Sequence, residues 1–256
     1  MQKLLIVLLT IIISLLTSAV ILKAQSSPEP TAIQETETIN LEHFDSIISD
    51  MVFNVEVRKS NEEKVVIKSN YLRLVEANVK NNVLHIGYKK NSSLQNPDTR
   101  IIIYAKNIKS VTARTASVIK IKDDFDIQRF SAETGGRIFG NSKAATIAID
   151  TQTNGFFLGT VNTGNLQINA DLGSSVDIQG NIGFAKIKSG GASKITAVKA
   201  KISEAVVTAE AASTVILSVS KELTASATSA AKIRYKTLSP IKFSAKRDSA
   251  GTIDML

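Results

Sequence analysis

Two carboxylic acids held at a spacing set by a repeat are the residues of this sequence best placed to do chemistry. Glu133 and Asp171 fall in the column Arg114, Glu133, Gln152, Asp171, Gly190, Glu210, Thr228, one member from each copy of a pattern that recurs about every 19 residues. If copies stack at the usual strand spacing of ~4.8 Å, these two acids stand ~9.6 Å apart. That lies near the upper end of the separation at which an inverting glycosidase uses one acid to protonate the leaving oxygen and the other to activate water. The column holds no further polar cluster around the pair, and a polar outer face supplies two acids by chance as readily. A β-helical carbohydrate-active enzyme using Glu133 and Asp171 is therefore an alternative, and no catalytic residue is assigned.

Other chemistries have less to stand on. His43 and His85 are each flanked by strand-forming residues, with no second His and no acidic pair at ligand spacing, the pattern of a surface or satisfied structural histidine. The chain has no cysteine, which removes thiolate metal sites, a catalytic thiol and a disulfide framework. There is no nucleophile elbow and no phosphate-cradling loop. Neither a metal nor a cofactor is expected.

The elements that position these residues are organised by the repeat from Val111 to Tyr235. Two apolar positions eight residues apart recur seven times: Val111/Ile119, Phe130/Ile138, Ile149/Phe157, Ile168/Val176, Ile187/Ile195, Val207/Val215 and Ala225/Ile233. The period is too short for the familiar helical repeats or for a propeller blade. Between the two anchors sits a pair of small residues: Ala116-Ser117, Gly135-Gly136, Asn154-Gly155, Gly173-Ser174, Ala192-Ser193, Ala212-Ser213, Ala230-Ala231. Because four pairs open with Ala, crowding of stacked backbones is expected to explain this column, and a uniform left-handed turn is not. Thr115, Thr134 and Thr153 read as a β-branched ladder favouring strand pairing. Each copy thus supplies a strand, a corner and a strand, which buries nothing alone and a continuous core when stacked. The expected fold is all-β: a single-stranded right-handed parallel β-helix of about seven coils, preceded by a non-repeating β-strand region.

The rest of the chain divides around this stack. Residues 1–24, with Lys3, the apolar run Leu4–Leu22 and a small residue at Ala24, read as an export signal, with an uncleaved anchor as the alternative. Residues 25–40 are rich in Ser, Pro, Thr and Glu and read as a linker or disordered arm. Residues 41–106 alternate apolar and polar positions, as at Phe53, Val55 and Val57, with a tight turn at Asn81-Asn82, and pack on or continue the stack. The repeats occupy 107–240, and 241–256 reads as a cap or tail that covers an open strand edge.

The formal charge is +8, and removing Lys3 and Lys23 with the signal leaves +6. For an exported chain that balance suits a solvated surface, acidic glycans or anionic head groups, and nucleic acid is not expected as a partner. Export places the chain in the periplasm, at the outer-membrane surface or outside the cell, without stable membrane insertion once the signal is removed.

Several segments, taken in order, resemble a known family. Leu41-Glu42-His43-Phe44-Asp45-Ser46-Ile47, Asn82-Val83-Leu84-His85-Ile86 and Ile101 to Val111 follow the segment order of the head GIN-domain putative auto-transporter adhesins. Corners such as Ser189-Gly190-Gly191-Ala192-Ser193 resemble that family's Gly-Ser-Gly coils. The likeness covers about Leu41 to Pro240; it departs at Lys106-Asn107, where the family often has Pro, and at the four corners that use Ala. It implies an exported β-helical domain of bacterial envelope type and brings no functional residues with it. The long regular surface with repeated polar columns suits an extended ligand, so the expected function is a non-enzymatic, adhesin-like binding module for a glycan or protein. A purely structural envelope component is the other alternative.

One surface feature comes from register alone. Burying Ile138 and Phe157 turns Phe139, Phe156 and Leu158 outward, where most other coils place Lys, Arg, Ser, Thr or Asp. This makes a contiguous apolar patch and a candidate contact site. Either the strands of the Leu41 to Ala105 region or the terminal segment fold over it, or another chain does; cover from within the chain is expected, because that strand region needs a surface against which to bury its own apolar faces.

Overall fold

The computed structural model describes residues 34–256, so the expected export signal and residues 25–33 of the arm lie outside it. Apart from a short 3-10 turn at Leu72–Leu74, the regular structure among these residues is β-strand. The strands form a parallel β-solenoid whose sides are ladders running along the stack.

The anchors set the register. Phe130 lies between Val111 and Ile149, and Ile168 between Ile149 and Ile187. On the second side Ile138 lies between Ile119 and Phe157, and Ile195 between Val176 and Val215. All fourteen anchor positions are at most 2% exposed, as alternation of inward and outward side chains requires. The rings of Phe130 and Phe157 meet inside, 4.8 Å between centroids, and fill width that Ile and Val leave in the other coils.

The corners correct one expectation. Every corner has two successive residues in the left-handed region: Thr115-Ala116, Thr134-Gly135, Thr153-Asn154, Leu172-Gly173, Gly191-Ala192, Ala211-Ala212, Ser229-Ala230 and Ser249-Ala250. Each is closed by a hydrogen bond from the fourth residue to the first, such as Ser117 N to Arg114 O at 2.9 Å and Gly136 N to Glu133 O at 2.9 Å. These are type I′ turns. The left-handed turn therefore is uniform, in spite of the alanines. Thr115, Thr134 and Thr153 are turn residues, where a β-branched side chain is strained, and are not the strand ladder expected of them. What tolerates the strain is stacking of the turns themselves: Ala116 N donates to Thr134 O and Gly135 N to Thr153 O, at 3.0 and 2.9 Å. Crowding explains the second member of each small pair. A Cβ on Gly136 would sit 2.0 Å from Ala113 O, and one on Gly155 2.0 Å from Ala132 O. Where serine occupies this place its buried hydroxyl is engaged, as in Ser193 Oγ to Ala170 O at 2.9 Å and Ser213 Oγ to Ser189 O at 2.9 Å.

The N-terminal region enters the stack out of chain order. Its strands are β1 (Glu35–Asn40), β2 (Ser46–Ser49), β3 (Asn54–Lys59), β4 (Lys64–Ser69), β5 (Val75–Lys80), β6 (Val83–Tyr88) and β7 (Thr99–Ala105), followed by β8 (Ser110–Ala113) and β9 (Val118–Ile121) of the first repeat. β2 pairs in parallel with both β6 and β8, and β3 with both β7 and β9. The layer made by β2 and β3 is thus held between the later β6 and β7 and the first repeat. The end is covered by antiparallel strands: β5 on β6 through the Asn81-Asn82 turn, β4 on β7, and β1 on β4. Residues 35–40, expected within a disordered arm, pair with β4 over six positions. Nearly all of β1 is exposed, so it carries no apolar alternation to reveal it; its Thr and Ile residues suit a strand held mainly by backbone hydrogen bonds.

The opposite end holds an eighth repeat where a cap or tail was expected. Lys242–Arg247 pairs in parallel with Glu222–Ala227, and Thr252–Met255 with Lys232–Tyr235, placing Ala245 and Ile253 in the two anchor columns. Ile253 is 3% exposed, whereas all six residues of Lys242–Arg247 are exposed. The outer side of this last layer is coated with Lys242, Lys246 and Arg247, charges that discourage strand addition to an open edge.

Candidate functional site

The outward column containing the two acids lies just before the left-handed corners. Glu133 is directly beside Gln152, and the next layer places Asp171 beyond it, fixed by the bond from Asp171 N to Thr151 O at 3.0 Å. Two positions earlier runs a second outward column in register: Ser131, Asp150, Asn169, Lys188 and Thr208. The two columns line a shallow open groove along the stack. One stretch, about 480 Å³, is bordered by Asn169, Asp171, Lys188, Thr208 and Glu210, and it continues for about 370 Å³ past Ser131, Glu133, Asp150 and Gln152.

Glu133 and Asp171 occupy the columns expected of them, but their oxygens are engaged locally. Glu133 accepts from Arg114 Nε at 3.1 Å and from Ser131 Oγ at 2.8 Å. Asp171 Oδ1 accepts from Leu172 N at 2.8 Å and lies against Gly190 and Gly191 of the next corner. Asp150 is held by Arg129 at 2.9 Å and by Asn169 Nδ2 at 2.7 Å. These acids thus brace neighbouring layers and a turn. They do not face each other across an enclosed, water-excluding cavity of the kind that strengthens electrostatic catalysis. Gln152, Lys188 and Glu210 are exposed and present their polar ends to the groove.

The histidines stay apart. His43 Nδ1 is 2.9 Å from Glu63 Oε1 with its side chain 59% exposed, and His85 is an exposed residue of β6. Among the described residues no cluster of three or more His, Asp or Glu could hold a metal ion.

Phe139, Phe156 and Leu158 form the patch that register implied, on the side of the stack after the corner. Phe139 pairs with Leu158 and Arg137 with Phe156 on adjacent layers. The two phenyl rings lie 5.5 Å apart, and the Arg137 guanidinium sits over both, 4.6 Å from Phe156 and 5.7 Å from Phe139. Leu158 is 40% exposed and the two phenylalanines are half-buried. The strands expected to fold over this patch do not: β2, β3, β6 and β7 bury their apolar faces by joining the stack end to end, which leaves this side uncovered.

A third row is not marked by the columns next to the anchors. Along a short third side run Asn141, Thr160, Gln179 and Lys199, with Asn162, Asn181 and Lys201 beside them. Asn141 Oδ1 accepts from Thr160 N at 2.9 Å, Gln179 Nε2 donates to Thr160 Oγ1 at 3.1 Å, and Asn162 Oδ1 accepts from Asn181 Nδ2 at 3.1 Å. The recurrence of Asn, Gln and Thr at the repeat spacing was the available signal.

A family model described as "putative auto-transporter adhesin, head GIN domain" matches residues 43–237. Among solved structures, one called a putative adhesin from Parabacteroides merdae has 16% identity and a TM-score of 0.81, covering 89% of this chain and 98% of its own. A structure from Parabacteroides distasonis called a putative lipid binding protein has the same identity, TM-score and coverage. A putative adhesin from Bacteroides fragilis has 17% identity and a TM-score of 0.62 over 89% of this chain and 99% of its own. At such identities the likeness is one of fold. No curated protein matches the chain.

Proposed function

The chain belongs to the family of putative auto-transporter adhesins with a head GIN domain, and from that premise we propose that it is an exported, non-enzymatic, adhesin-like binding module whose ligand is an extended glycan. The observation that carries this reading is the open groove in which side chains with donors and acceptors repeat layer by layer. A period of ~4.8 Å lets successive hydroxyl-bearing units of a linear chain meet successive layers. Gln152, Lys188 and Glu210 are the free polar ends, while Glu133, Asp150 and Asp171 fix the shape of the groove and already have partners. That engagement also favours binding over hydrolysis.

Export rests on the leading segment and on the family's character. Intact mass of the protein from its native host, with cell fractionation, checks it: the chain is expected outside the cytoplasm and to begin near Gln25. A cytoplasmic protein of full mass would remove the export reading.

Binding is tested on a glycan array followed by calorimetry. Gln152→Ala combined with Glu210→Ala is expected to weaken the best glycan about tenfold or more, the loss of one or two well-formed hydrogen bonds, with the circular dichroism spectrum unchanged. No glycan binding by the wild type, or no effect of the double variant, would count against the groove. A protein ligand is the second reading, favoured by the uncovered Arg137, Phe139, Phe156 and Leu158 cluster; aromatic and Arg groups are the usual anchors of protein contacts. In that case Phe156→Lys, and not the groove variant, abolishes capture of the ligand.

A further inference from the structure

Charge is distributed unevenly along the stack. Residues 34–177 carry seventeen Lys and Arg against seventeen Asp and Glu, net zero, whereas residues 178–256 carry twelve against five, net +7. The third side shows the change layer by layer. Its first turn carries Asp123, Asp124 and Asp126 beside Lys122, its middle turns carry the Asn and Gln ladder with Lys143 in the column of Asn162, and its last turns carry Lys199, Lys201 and Lys236. Among the described residues none of these three lysines has an acid partner within 4.0 Å, while Lys64, Lys109 and Arg129 in the earlier part of the chain are paired.

These lysines border a groove of about 430 Å³ with an apolar floor. Ile202 and Val219 form that floor at 1% and 3% exposure, and Leu238 stands at the rim with 94% of its surface exposed. The hydroxyls along the groove are turned inward to the backbone: Ser218 Oγ donates to Val198 O at 2.7 Å and Ser220 Oγ to Ile202 O at 3.3 Å. What the groove offers outward is therefore ammonium groups and the aliphatic surface of Leu238 and the half-buried Val198. A leucine so fully exposed between unpaired lysines is a poor arrangement for water alone, and it matches an interface whose outer layer is anionic and whose next layer is hydrocarbon.

We propose that this end of the third side docks the protein peripherally on an anionic lipid bilayer, with Leu238 entering the headgroup layer and Lys199, Lys201 and Lys236 meeting lipid phosphates. Lysine stems can lie along the apolar floor while the ammonium groups reach the phosphates. A soluble polyanion accounts for the lysines and leaves Leu238 without a role. The site is separate from the polar groove proposed for a glycan, which lies on another side of the stack, and either can fail without the other.

The test is co-sedimentation of the full chain with vesicles of phosphatidylcholine alone and of phosphatidylcholine containing about one-third phosphatidylglycerol. Binding is expected to be about tenfold or more stronger on the anionic vesicles and to fall as salt rises and the Debye length shrinks. Removing three charges from the groove, with Lys199→Gln, Lys201→Gln and Lys236→Gln, is expected to abolish that preference. Removing three elsewhere, with Lys186→Gln, Lys194→Gln and Lys232→Gln, is expected to leave it within about twofold, because surface charges act over roughly a Debye length. Leu238→Ser is expected to weaken binding several-fold at unchanged charge. Equal binding to both vesicles, or equal loss from the two lysine sets, overturns the proposal. So does a Leu238→Ser variant that binds as well as the wild type, which would mark a soluble polyanion as the ligand. All seven positions are exposed, so an unchanged thermal midpoint verifies that each variant is folded.

Discussion

Replacing Ile168 by Asp is expected to leave no soluble, β-rich protein. Ile168 is fully buried in the middle of the stack, with Ile149 and Ile187 directly beside it on the adjacent layers. The substitution removes an aliphatic burial worth ~2–3 kcal/mol. It also places a carboxylate in a space lined by Ile and Val, where an unpaired charge costs several kcal/mol more. Against a total stability on the order of 5–15 kcal/mol, the sum is enough to prevent folding. A mid-stack layer has no way to turn the group toward solvent, because slipping the strand by one residue would bury Gln167 and Asn169 and expose the anchors. Gln167→Asp is the matched control: it adds the same group one residue away at an exposed position, and a folded protein is expected. Recovery of folded Ile168→Asp protein, judged by solubility and circular dichroism, would mean that the ladder register is wrong.

The second large effect concerns backbone handedness. Gly180 has φ of +120°, and a Cβ there would lie 2.1 Å from Val161 O. It stands beside the irregular step between Asp177 and Gln179, where a layer with one more residue is accommodated. Valine is barred twice, by its own torsions and by the backbone of the layer below. Gly180→Val is expected to lose about 3 kcal/mol or more, seen as a thermal midpoint lower by roughly 10 °C in a domain of this size. The reverse substitution at a corner has the opposite sign. Ala192 is held at φ of +59°, a conformation that costs an L-residue about 1 kcal/mol or more and glycine almost nothing, so Ala192→Gly is expected to raise the midpoint by roughly 2 °C after glycine's greater chain entropy is subtracted. A midpoint lowered by Ala192→Gly would show that the stacked turns carry no strain.

Much of the stack was legible because burial repeats. The anchor pairs needed only volume and apolar character at a constant spacing, and their partners across the ladders followed by counting. Corner geometry was less legible, since Ala116, Ala192 and Ala212 occupy places where glycine would announce a left-handed turn. The alanines persist because stacked turn hydrogen bonds offset local strain, a cooperative effect absent from any single coil. The eighth repeat was hidden in the same way: Ala245 is a weak anchor, and Lys242–Arg247 is a fully exposed strand with no inward face to read. The order of the N-terminal layers could not be read at all, since each pairs with layers made elsewhere in the chain and no repeat relates them. For the candidate groove, the sequence placed Glu133 and Asp171 in one column but not their partners; Arg114 belonged to the same column, and its contact with Glu133 depends on side-chain direction.

The placement of β2 and β3 between β6–β7 and β8–β9 bears on the order in which a growing chain can close. Synthesis delivers β2 and β3 before any strand they pair with, since both of their neighbours consist of residues made later, the last of them at Ile121. The β7 side is complete at Ala105 and the β9 side only at Ile121, so until about sixty more residues have emerged after Lys59 the inward faces of Val55 and Val57 lack a completed wall on at least one side. From Phe130 onward the situation reverses, because every new coil meets a finished edge as soon as it is made and can zip onto it. The β2–β3 layer is thus a keystone, locked in place by strands synthesised after it, and the later coils are courses laid in sequence on the arch it closes.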